Sequence, residues 1–370
     1  MSELFDRRRI RMFPLAERKH KLDIEKIAVR PGDDVPELAA REQAQVQAAA
    51  ERIASARHSG SPVILTYGAH LIKNGLAPVV IDLIRNGWVT HVATNGAGSI
   101  HDWEFAHIGL STEDVRANVA EGKFGTWDET GMVIGISLAV GTVDGLGYGH
   151  SVGRTIAQDG ITIPAPDCLA DRIRETLDSG SEEVGALADL LNLVREFGLP
   201  EGNLDIPHSH REFSVQYAAW EAGIPFTVHP GIGYDIIYTH PMVSGGPVGR
   251  GAVRDFLSYA ESVSRLSNGV HLSVGSAIMS PMIFEKSLSM ANNLSITETG
   301  KPLEDYYLVV VDIQDGGDWD WSRGEPPMDN PAYYLRFCKS FYRMGGSLDY
   351  LCMDNIKFML ALNQALARAA

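Results

Sequence analysis

Residues 63–106 read VILTYGAHLIKNGLAPVVIDLIRNGWVTHVATNGAGSIHDWEFA, and this stretch decides the fold. It opens with an apolar, β-branched run that stops at Gly68, continues with a helical period over residues 75–87, and returns to an apolar run that ends at Asn95. A strand, a helix and a second strand joined by short connections form a βαβ unit, in which the two strands are parallel. The stretch therefore predicts an α/β fold built on a parallel sheet.

The alternation of strands and helices continues along the rest of the chain. An Ala-rich segment that ends in a glycine predicts a helix within residues 36–60. A Ser-x-x-Asp capping box that starts at Ser111 predicts a helix over residues 111–122. Further strands, separated by helical segments, are expected within residues 223–235, 269–281 and 305–318 and after Gly346.

This pattern predicts a doubly wound, mostly parallel sheet of the Rossmann type. We expect an N-terminal extension and helix at residues 1–58 and one cofactor-binding, catalytic domain at residues 59–370. Residues 1–35 show no clear period and are expected to wrap over the surface or over a neighbouring subunit.

The loops that follow five of the predicted strands share one composition. Parallel strands deliver their carboxyl ends to one edge of the sheet, which is where ligands bind. Glycine there lets a backbone approach a ligand closely, although glycine and asparagine are also ordinary turn residues. Five such loops at one edge favour a ligand crevice. The loops are Gly68-Ala69-His70, Thr94-Asn95-Gly96-Ala97-Gly98, His229-Pro230-Gly231-Ile232-Gly233, Gly275-Ser276-Ala277 and Asp312-Ile313-Gln314-Asp315-Gly316-Gly317.

Common nucleotide and nucleophile motifs are absent from the sequence. It contains no G-x-G-x-x-G dinucleotide fingerprint in a strand-to-helix context, no G-x-x-x-x-G-K-[ST] loop and no G-x-S-x-G elbow. A dinucleotide would therefore bind in a variant crevice.

Composition limits the classes of partner and compartment. The net charge of −15 argues against nucleic acid or an anionic membrane as a partner, because both require a basic surface. The 3 cysteines form no CxxC pair, which is typical of a reducing cytoplasm. No signal peptide or membrane-spanning run is apparent. We expect a cytoplasmic protein with a small-molecule partner.

Residues 63–106 resemble the first βαβ unit of the deoxyhypusine synthase family, and the segments GIPFTVHPGIGYDIIYTH, GVHLSVGSAIMSPMIFEK and YYLVVVDIQDGGD follow in that family's order. The resemblance covers roughly residues 60–330. It implies a homotetramer with NAD near a subunit interface, and oxidation of the polyamine spermidine. By position, it implies NAD contacts at Ala69, His70, Thr94, Asn95, Gly96, Gly275, Ser276 and Asp312.

Two departures separate the chain from that family. The family forms an imine on the lysine of a Trp-Gly-Lys segment, and the corresponding stretch here lacks this tripeptide. Lys339, the nearest lysine, is the candidate catalytic lysine, and Lys286 is a second candidate for an imine. Ile100 and His101 stand where the family has two glutamates. We therefore expect a divergent, NAD-dependent enzyme that acts on an amine or polar small molecule and does not synthesise deoxyhypusine.

His101 and Asp102 are the leading catalytic candidates, because histidine titrates near neutral pH and an adjacent acid can orient it. The alternative is that Asp102 caps a helix while His101 is exposed. His229, Asp235 and Asp315 are candidate substrate ligands, since they flank or follow strand ends.

Two further clusters suggest different chemistry. The loop with Asp312, Asp315, Asp318 and Asp320 also contains Trp319 and Trp321, which suits a cationic amine but equally a solvated acidic loop. His208 and His210 could contribute to a metal site, although no third ligand has a diagnostic spacing, and no metal is assigned. A metal-dependent hydrolase or lyase and a ligand sensor without catalysis stay open as alternatives.

Overall fold

Six parallel strands form the central sheet of the protein. The structure is a computed structural model that describes residues 3–179, 181, 183–317 and 319–369. The strands of the chain are β1 (Leu22–Asp23), β2 (Val63–Tyr67), β3 (His91–Asn95), β4 (Leu110–Ser111), β5 (Gly160–Ile163), β6 (Gly202–Asp205), β7 (Phe226–His229), β8 (Val270–Val274), β9 (Tyr307–Asp312) and β10 (Ser347–Cys352).

Helices cover both faces of this sheet. The helices of the described chain are α1 (Ile24–Ile27), α2 (Ala40–Ser59), α3 (His70–Lys73), α4 (Ala77–Arg85), α5 (Gly96–Ile108), α6 (Val115–Ala120), α7 (Asp128–Val143), α8 (Tyr148–Ala157), α9 (Pro166–Thr176), α10 (Glu183–Phe197), α11 (Val215–Ala222), α12 (Gly245–Ser264), α13 (Met279–Thr299), α14 (Arg336–Arg343) and α15 (Asn355–Ala369).

The strand order confirms the predicted doubly wound α/β fold. Across the sheet the order is β10-β9-β8-β2-β3-β7, so the chain first builds outward from β2 through β3 to β7 and then returns to build β8, β9 and β10 on the other side. This is the strand order of dinucleotide-binding sheets, and its topological switch point lies between β2 and β8.

Successive side chains of a strand point to opposite faces of the sheet, and both faces are buried in this protein. In β2, Val63, Leu65 and Tyr67 belong to one buried core and Ile64 belongs to a second core on the other face. The runs VILTY and YLVVVD are therefore apolar almost throughout, as expected for strands buried on both sides. The second core is closed mainly by α12, α13 and α14.

Three local features differ from the sequence-based expectations. Ser111 does not start a helix; it lies in β4, and the N-cap of α6 is Asp114, whose side chain accepts from the Ala117 amide. Residues before α2 also do more than wrap the surface, since Leu15 and Ile24 belong to the main core. Two small antiparallel pairs, β1 with β4 and β5 with β6, were not predicted.

None of the described helices is by itself long and apolar enough to cross a membrane. Helices α7 and α8, bent by 108° at their junction, meet the criteria of length and composition only as a pair.

Candidate functional site

Two clefts open where the strands of the sheet end. The β9 cleft encloses about 310 Å³ and follows β2, β8, β9 and β10. Its walls are His70, Asn74, Gly275, Val311, Asp312, Ile313, Met353, Asp354 and Asn355. The His101 cleft encloses about 260 Å³ and follows β3 and β7. Its walls are Arg18, Lys73, Ala97, Ile100, His101, Glu104, Thr112, Glu113, Val115, Phe124, Tyr234, Asp235 and Ile236.

Helix α3 links the two clefts. His70 at its start lines the β9 cleft, and Lys73 at its end lines the His101 cleft. The clefts thus lie side by side along the carboxyl edge of the sheet. The sequence prediction of a crevice at this edge agrees with their position.

The glycines at this edge were expected to make room for a ligand, but several of them, including Gly68 and Gly96, make room for the protein itself. A Cβ on Gly68 would lie 2.1 Å from the Gly275 carbonyl oxygen, so the two backbones touch at the switch point. A Cβ on Gly96 would lie 2.3 Å from Asp235 Oδ2. Gly275 differs, because its φ of 58° favours glycine and no atom of the described residues lies within 4 Å of its Cβ position. Only Gly275 among these three leaves open space.

A chain of polar groups fixes His101 in its cleft. The His101 Nδ1 atom lies 2.8 Å from Ser111 Oγ, and the Ser111 hydroxyl donates to Glu104. Arg18 donates to both Glu104 oxygens at 2.7 and 2.6 Å, and Thr130 donates to the same carboxylate at 3.0 Å. Arg18 and Glu104 are 2% and 1% exposed, so this is a buried ion pair.

The protonation states follow from these contacts. Burial alone would raise the pKa of Glu104, but the charge and hydrogen bonds of Arg18 outweigh it and the pKa is lowered. An ionised carboxylate only accepts, so Ser111 donates to Glu104 and accepts from His101 Nδ1–H. The His101 Nε2 atom is then the unprotonated ring nitrogen. Burial lowers the pKa of His101 to about 4, which keeps the imidazole neutral at pH 7.

Asp102 does not orient His101. It points in a different direction from the same helix, α5, and accepts from the Ser214 hydroxyl, the amides of Val215 and Gln216, and the Gln216 side chain. These donors belong to the start of α11, and Asp102 is fully buried, which raises its pKa. The prediction of a catalytic Asp102 is corrected to a capping role, close to the alternative stated above. The carboxylate linked to His101 through Ser111 is Glu104.

Asp235 joins His101 in the same cleft, whereas His229 does not. The Asp235 Oδ2 atom accepts from the Gly231 amide at 2.9 Å, and burial raises the Asp235 pKa to about 6. His229 is buried beneath the edge with its Nε2 atom 3.1 Å from Thr227 Oγ1, and burial lowers its pKa to about 3. His229 belongs to the polar interior between the sheet and α12.

The predicted cofactor residues divide into two groups. His70, Gly275 and Asp312 line the β9 cleft together, and Ala69 directly precedes α3. The other four are engaged by the protein. Thr94 is fully buried and donates to the Tyr67 carbonyl, Asn95 Oδ1 accepts from the Gly98 amide as the cap of α5, Gly96 contacts Asp235, and Ser276 Oγ accepts from the Ser280 amide.

Lys339 and Asp315 lie outside both clefts. Lys339 is on α14, where its Nζ atom sits 3.5 Å from the centre of the Tyr333 ring. Asp315 is exposed and accepts from the Gly317 amide in its own loop. The acidic, aromatic loop does not offer free rings either, since Trp321 is buried and Arg323 stacks on Trp319. Asp318 of this loop lies outside the described residues.

The histidines considered for a metal do not assemble a site. His208 is buried against Trp103, and His210 lies near Gly109 and Glu25. Within the described ranges, no group of three or more His, Cys, Asp or Glu side chains has the geometry to hold a metal ion.

Sequence reasoning missed most residues of the His101 cleft, including four that bear on its chemistry. They are Arg18, Lys73, Glu104 and Thr112. Glu104 is three positions after His101 on α5, so helical spacing alone could have placed both on one face. Nothing in the local sequence of Arg18 indicates that it reaches Glu104.

No protein-family model matches the chain, and no curated protein matches its sequence. Among solved structures, unliganded AgrE is 17% identical over 91% of this chain and 34% of its own, with a TM-score of 0.45. AgrE has also been solved with ornithine and NAD⁺, at 16% identity over 90% of this chain and 34% of that one, with a TM-score of 0.44. ArgZ, a cyanobacterial arginine dihydrolase, is 15% identical over 89% of this chain and 33% of its own, with a TM-score of 0.42.

The chain thus spans about a third of the length of these structures. Identities and TM-scores of this size are too low to support a statement about function. The assignment of the fold comes from the order and direction of the six strands described above.

Proposed function

We propose that this protein is an NAD-dependent enzyme that oxidises an amine or another polar small molecule. In this proposal NAD occupies the β9 cleft and the substrate occupies the His101 cleft. The observation that carries it is the pair of clefts at the carboxyl edge of a sheet with the dinucleotide-binding strand order.

The β9 cleft offers groups that suit part of a dinucleotide. Gly275 is open at the switch point, and Asp312 and Asp354 place carboxylates there that can accept from ribose hydroxyls. Its volume of about 310 Å³ is at the low end of ligand pockets, so the rest of the cofactor would lie along the open edge. The turn after β2, where a pyrophosphate usually binds in such sheets, is not available. The Gly275 carbonyl occupies the space beside Gly68, and the helix that follows, α3, has only 4 residues.

His101 is the proposed proton acceptor. Its Nε2 atom is unprotonated and makes no bond within the described part of the chain, while Nδ1 is held by Ser111. This nitrogen would take the proton that a substrate hydroxyl or amine loses on oxidation. NAD, when bound, supplies the hydride acceptor. Arg18, Glu104 and Ser111 act by holding the imidazole in one tautomer.

Other parts of the proposal rest on the sequence alone. They are a divergent deoxyhypusine-synthase-like protein without deoxyhypusine synthesis, one cofactor-binding domain at residues 59–370, a homotetramer, and a cytoplasmic location. A catalytic lysine is not part of the proposal, since Lys339 lies outside both clefts. A ligand sensor that has lost catalysis is the second candidate; the low pKa of His101, which weakens it as a base, favours that reading.

Calorimetric titration with NAD tests the cofactor assignment. The informative variant is Asp312→Asn, which keeps the shape of the side chain and removes the charge that would accept from a ribose hydroxyl. The matched control is Glu261→Gln, because Glu261 is an exposed acid on α12 away from the β9 cleft.

We expect NAD to bind the wild type with a Kd in the micromolar range, about −8 kcal/mol. Asp312→Asn should weaken binding about tenfold, or ~1.4 kcal/mol, and Glu261→Gln should leave it unchanged. Absence of NAD binding to the wild type would remove the cofactor from the proposal. Equal NAD affinity of the wild type and Asp312→Asn would mean that NAD does not bind beside Asp312 in the β9 cleft.

A further inference from the structure

The His101 cleft contains charges that the protein itself leaves unpaired. Arg18 and Glu104 neutralise each other, and Glu113 accepts from Asn118 Nδ2 and from the Gly125 amide. Glu113 forms no ion pair with a described residue, but both of its carboxylate oxygens accept these hydrogen bonds. Lys73 and Asp235 also form no ion pair in the described ranges, and each has a charged atom without a hydrogen-bond partner there.

Lys73 is positioned by α3 on the wall of this cleft. It is the last residue of that helix and is partly buried, yet its Nζ atom makes no hydrogen bond with another described residue. It is close enough for its positive charge to contribute to the low pKa of His101, an effect secondary to burial. A partly buried ammonium without a partner is costly, and an anionic ligand group would compensate it.

Asp235 is positioned on the wall by the loop after β7. Its Oδ2 atom accepts from the Gly231 amide, whereas Oδ1 has no donor in the described part of the chain. The side chain is only 7% exposed and rests on the first residue of α5, Gly96. A buried carboxylate with a free oxygen suits a cationic ligand group.

A strained residue completes the wall. Thr112 has a φ of 68°, a conformation that β-branched residues rarely adopt, and its buried Oγ1 atom has no partner among the described residues. Strained backbone and unsatisfied buried hydroxyls are both uncommon, and both concentrate at sites that bind ligands. Thr112 therefore adds a neutral hydrogen-bonding group to the two unpaired charges.

We propose that the His101 cleft binds a small zwitterion, with Lys73 on its carboxylate, Asp235 on its ammonium, and the Thr112 hydroxyl as a further contact. The inference rests on the proposed role of this cleft as the substrate site, and it narrows the amine of that proposal to a molecule that also has an acid. The volume of about 260 Å³ lies below the range of roughly 300–1,000 Å³ of drug-sized pockets, which fits a ligand of amino-acid size.

Three matched probes test this inference by calorimetry in the absence of NAD. L-2-aminobutyrate has both charges, propylamine lacks the carboxylate, and butyrate lacks the ammonium. We expect the zwitterion to bind at least about tenfold more tightly than either single-charge probe, the factor of one charge-assisted contact.

Two variants assign the charges to their residues. Lys73→Met should abolish the preference for L-2-aminobutyrate over propylamine, and Asp235→Asn should abolish the preference over butyrate. Lys286→Met is the control, because Lys286 pairs with Glu285 on the surface of α13, and all preferences should persist. Thermal unfolding of each variant separates a lost contact from a lost fold, and Lys73→Arg provides a second variant that should retain the preference for the acid.

Equal affinity of the wild type for propylamine and L-2-aminobutyrate would overturn the inference. So would failure of all three probes to bind up to their solubility limits, or a preference that survives both Lys73→Met and Asp235→Asn in folded protein. NAD titration of the same samples keeps the two proposals apart. NAD binding without zwitterion binding refutes only the substrate class, and zwitterion binding without NAD binding refutes only the cofactor.

Discussion

The two clefts at the edge of the sheet are built in different ways. The His101 cleft collects side chains from distant parts of the chain, and Arg18, Glu104, Ser111 and His101 form a continuous bonded series inside it. The β9 cleft is lined by residues at or near the ends of strands and helices. Among the described residues, its carboxylate Asp312 accepts only from the nearby Gln314 amide, two residues along the chain. One cleft holds a fixed imidazole, and the other offers open backbone and acceptors.

This difference in construction matches the different rigidity that a proton acceptor and a cofactor surface need. A proton acceptor has to keep one tautomer and one orientation, which a buried series of hydrogen bonds can impose. A cofactor surface needs space and accessible acceptors, which strand-end loops supply without a buried network. The two kinds of construction should therefore respond differently to substitution.

The largest effect is expected from breaking the buried ion pair of the His101 cleft. Arg18→Met leaves the Glu104 carboxylate buried without its partner, which should reduce the free energy of unfolding by about 3–5 kcal/mol. Urea denaturation measures this. The double variant Arg18→Met/Glu104→Gln removes the orphaned charge and should recover most of the loss. A loss under about 1 kcal/mol in the single variant would contradict a buried pair.

Next in size is the contrast between the two glycines at the switch point. Gly68→Ala forces a Cβ to within 2.1 Å of a backbone oxygen, and overpacking of this kind should cost roughly 3 kcal/mol. Gly275→Ala meets no atom and should cost only the strain of a positive φ, about 1–2 kcal/mol. Equal losses in denaturation of the two variants would show that the backbones do not touch there.

The pH dependence of stability tests the burial of His101. Burial lowers its pKa from 6.5 to about 4, so the unfolded chain takes up this proton first as the pH falls. The stabilising contribution of the neutral imidazole is complete above pH 6.5 and is lost as the pH falls through 4, in total roughly 3 kcal/mol.

Denaturation of His101→Gln across this window isolates the effect, since glutamine does not titrate. The free energy of unfolding of the variant should fall less steeply with acid than that of the wild type. The buried histidines His91, His229 and His271 are unchanged in both proteins and cancel in the difference. Parallel pH profiles would mean that His101 is exposed.

The smallest effect is expected at Asp315, which lies outside both clefts. Asp315→Asn should change the free energy of unfolding by less than about 0.5 kcal/mol, because the side chain is exposed and, among the described residues, accepts a hydrogen bond only within its own loop. NAD affinity should also stay within about twofold, or ~0.4 kcal/mol. A tenfold change in NAD affinity would show that the NAD site includes the Asp315 loop.

Much of the fold follows from local sequence. The period-2 and period-3.6 patterns of residues 63–106 predict β2, α4 and β3. Gly60 predicts the end of α2, and the structure confirms this, because Gly60 caps the helix with a φ of 71°. Strand direction and the position of the crevice follow in turn, because parallel strands must all end at one edge. These features depend on residues near one another in the chain.

The chemistry of the edge was decided by tertiary structure alone. Arg18 and Glu104 are 86 residues apart, and Asp102 meets its partners at Val215 and Gln216, 113 and 114 residues away. The side chains of His101 and Asp102 point in different directions from one helix, so adjacent residues serve a cleft and a helix cap respectively. Local sequence fixes which way a strand runs and where it stops. Which charges meet beyond that point depends on the path of the whole chain, because an ion pair requires only proximity in space.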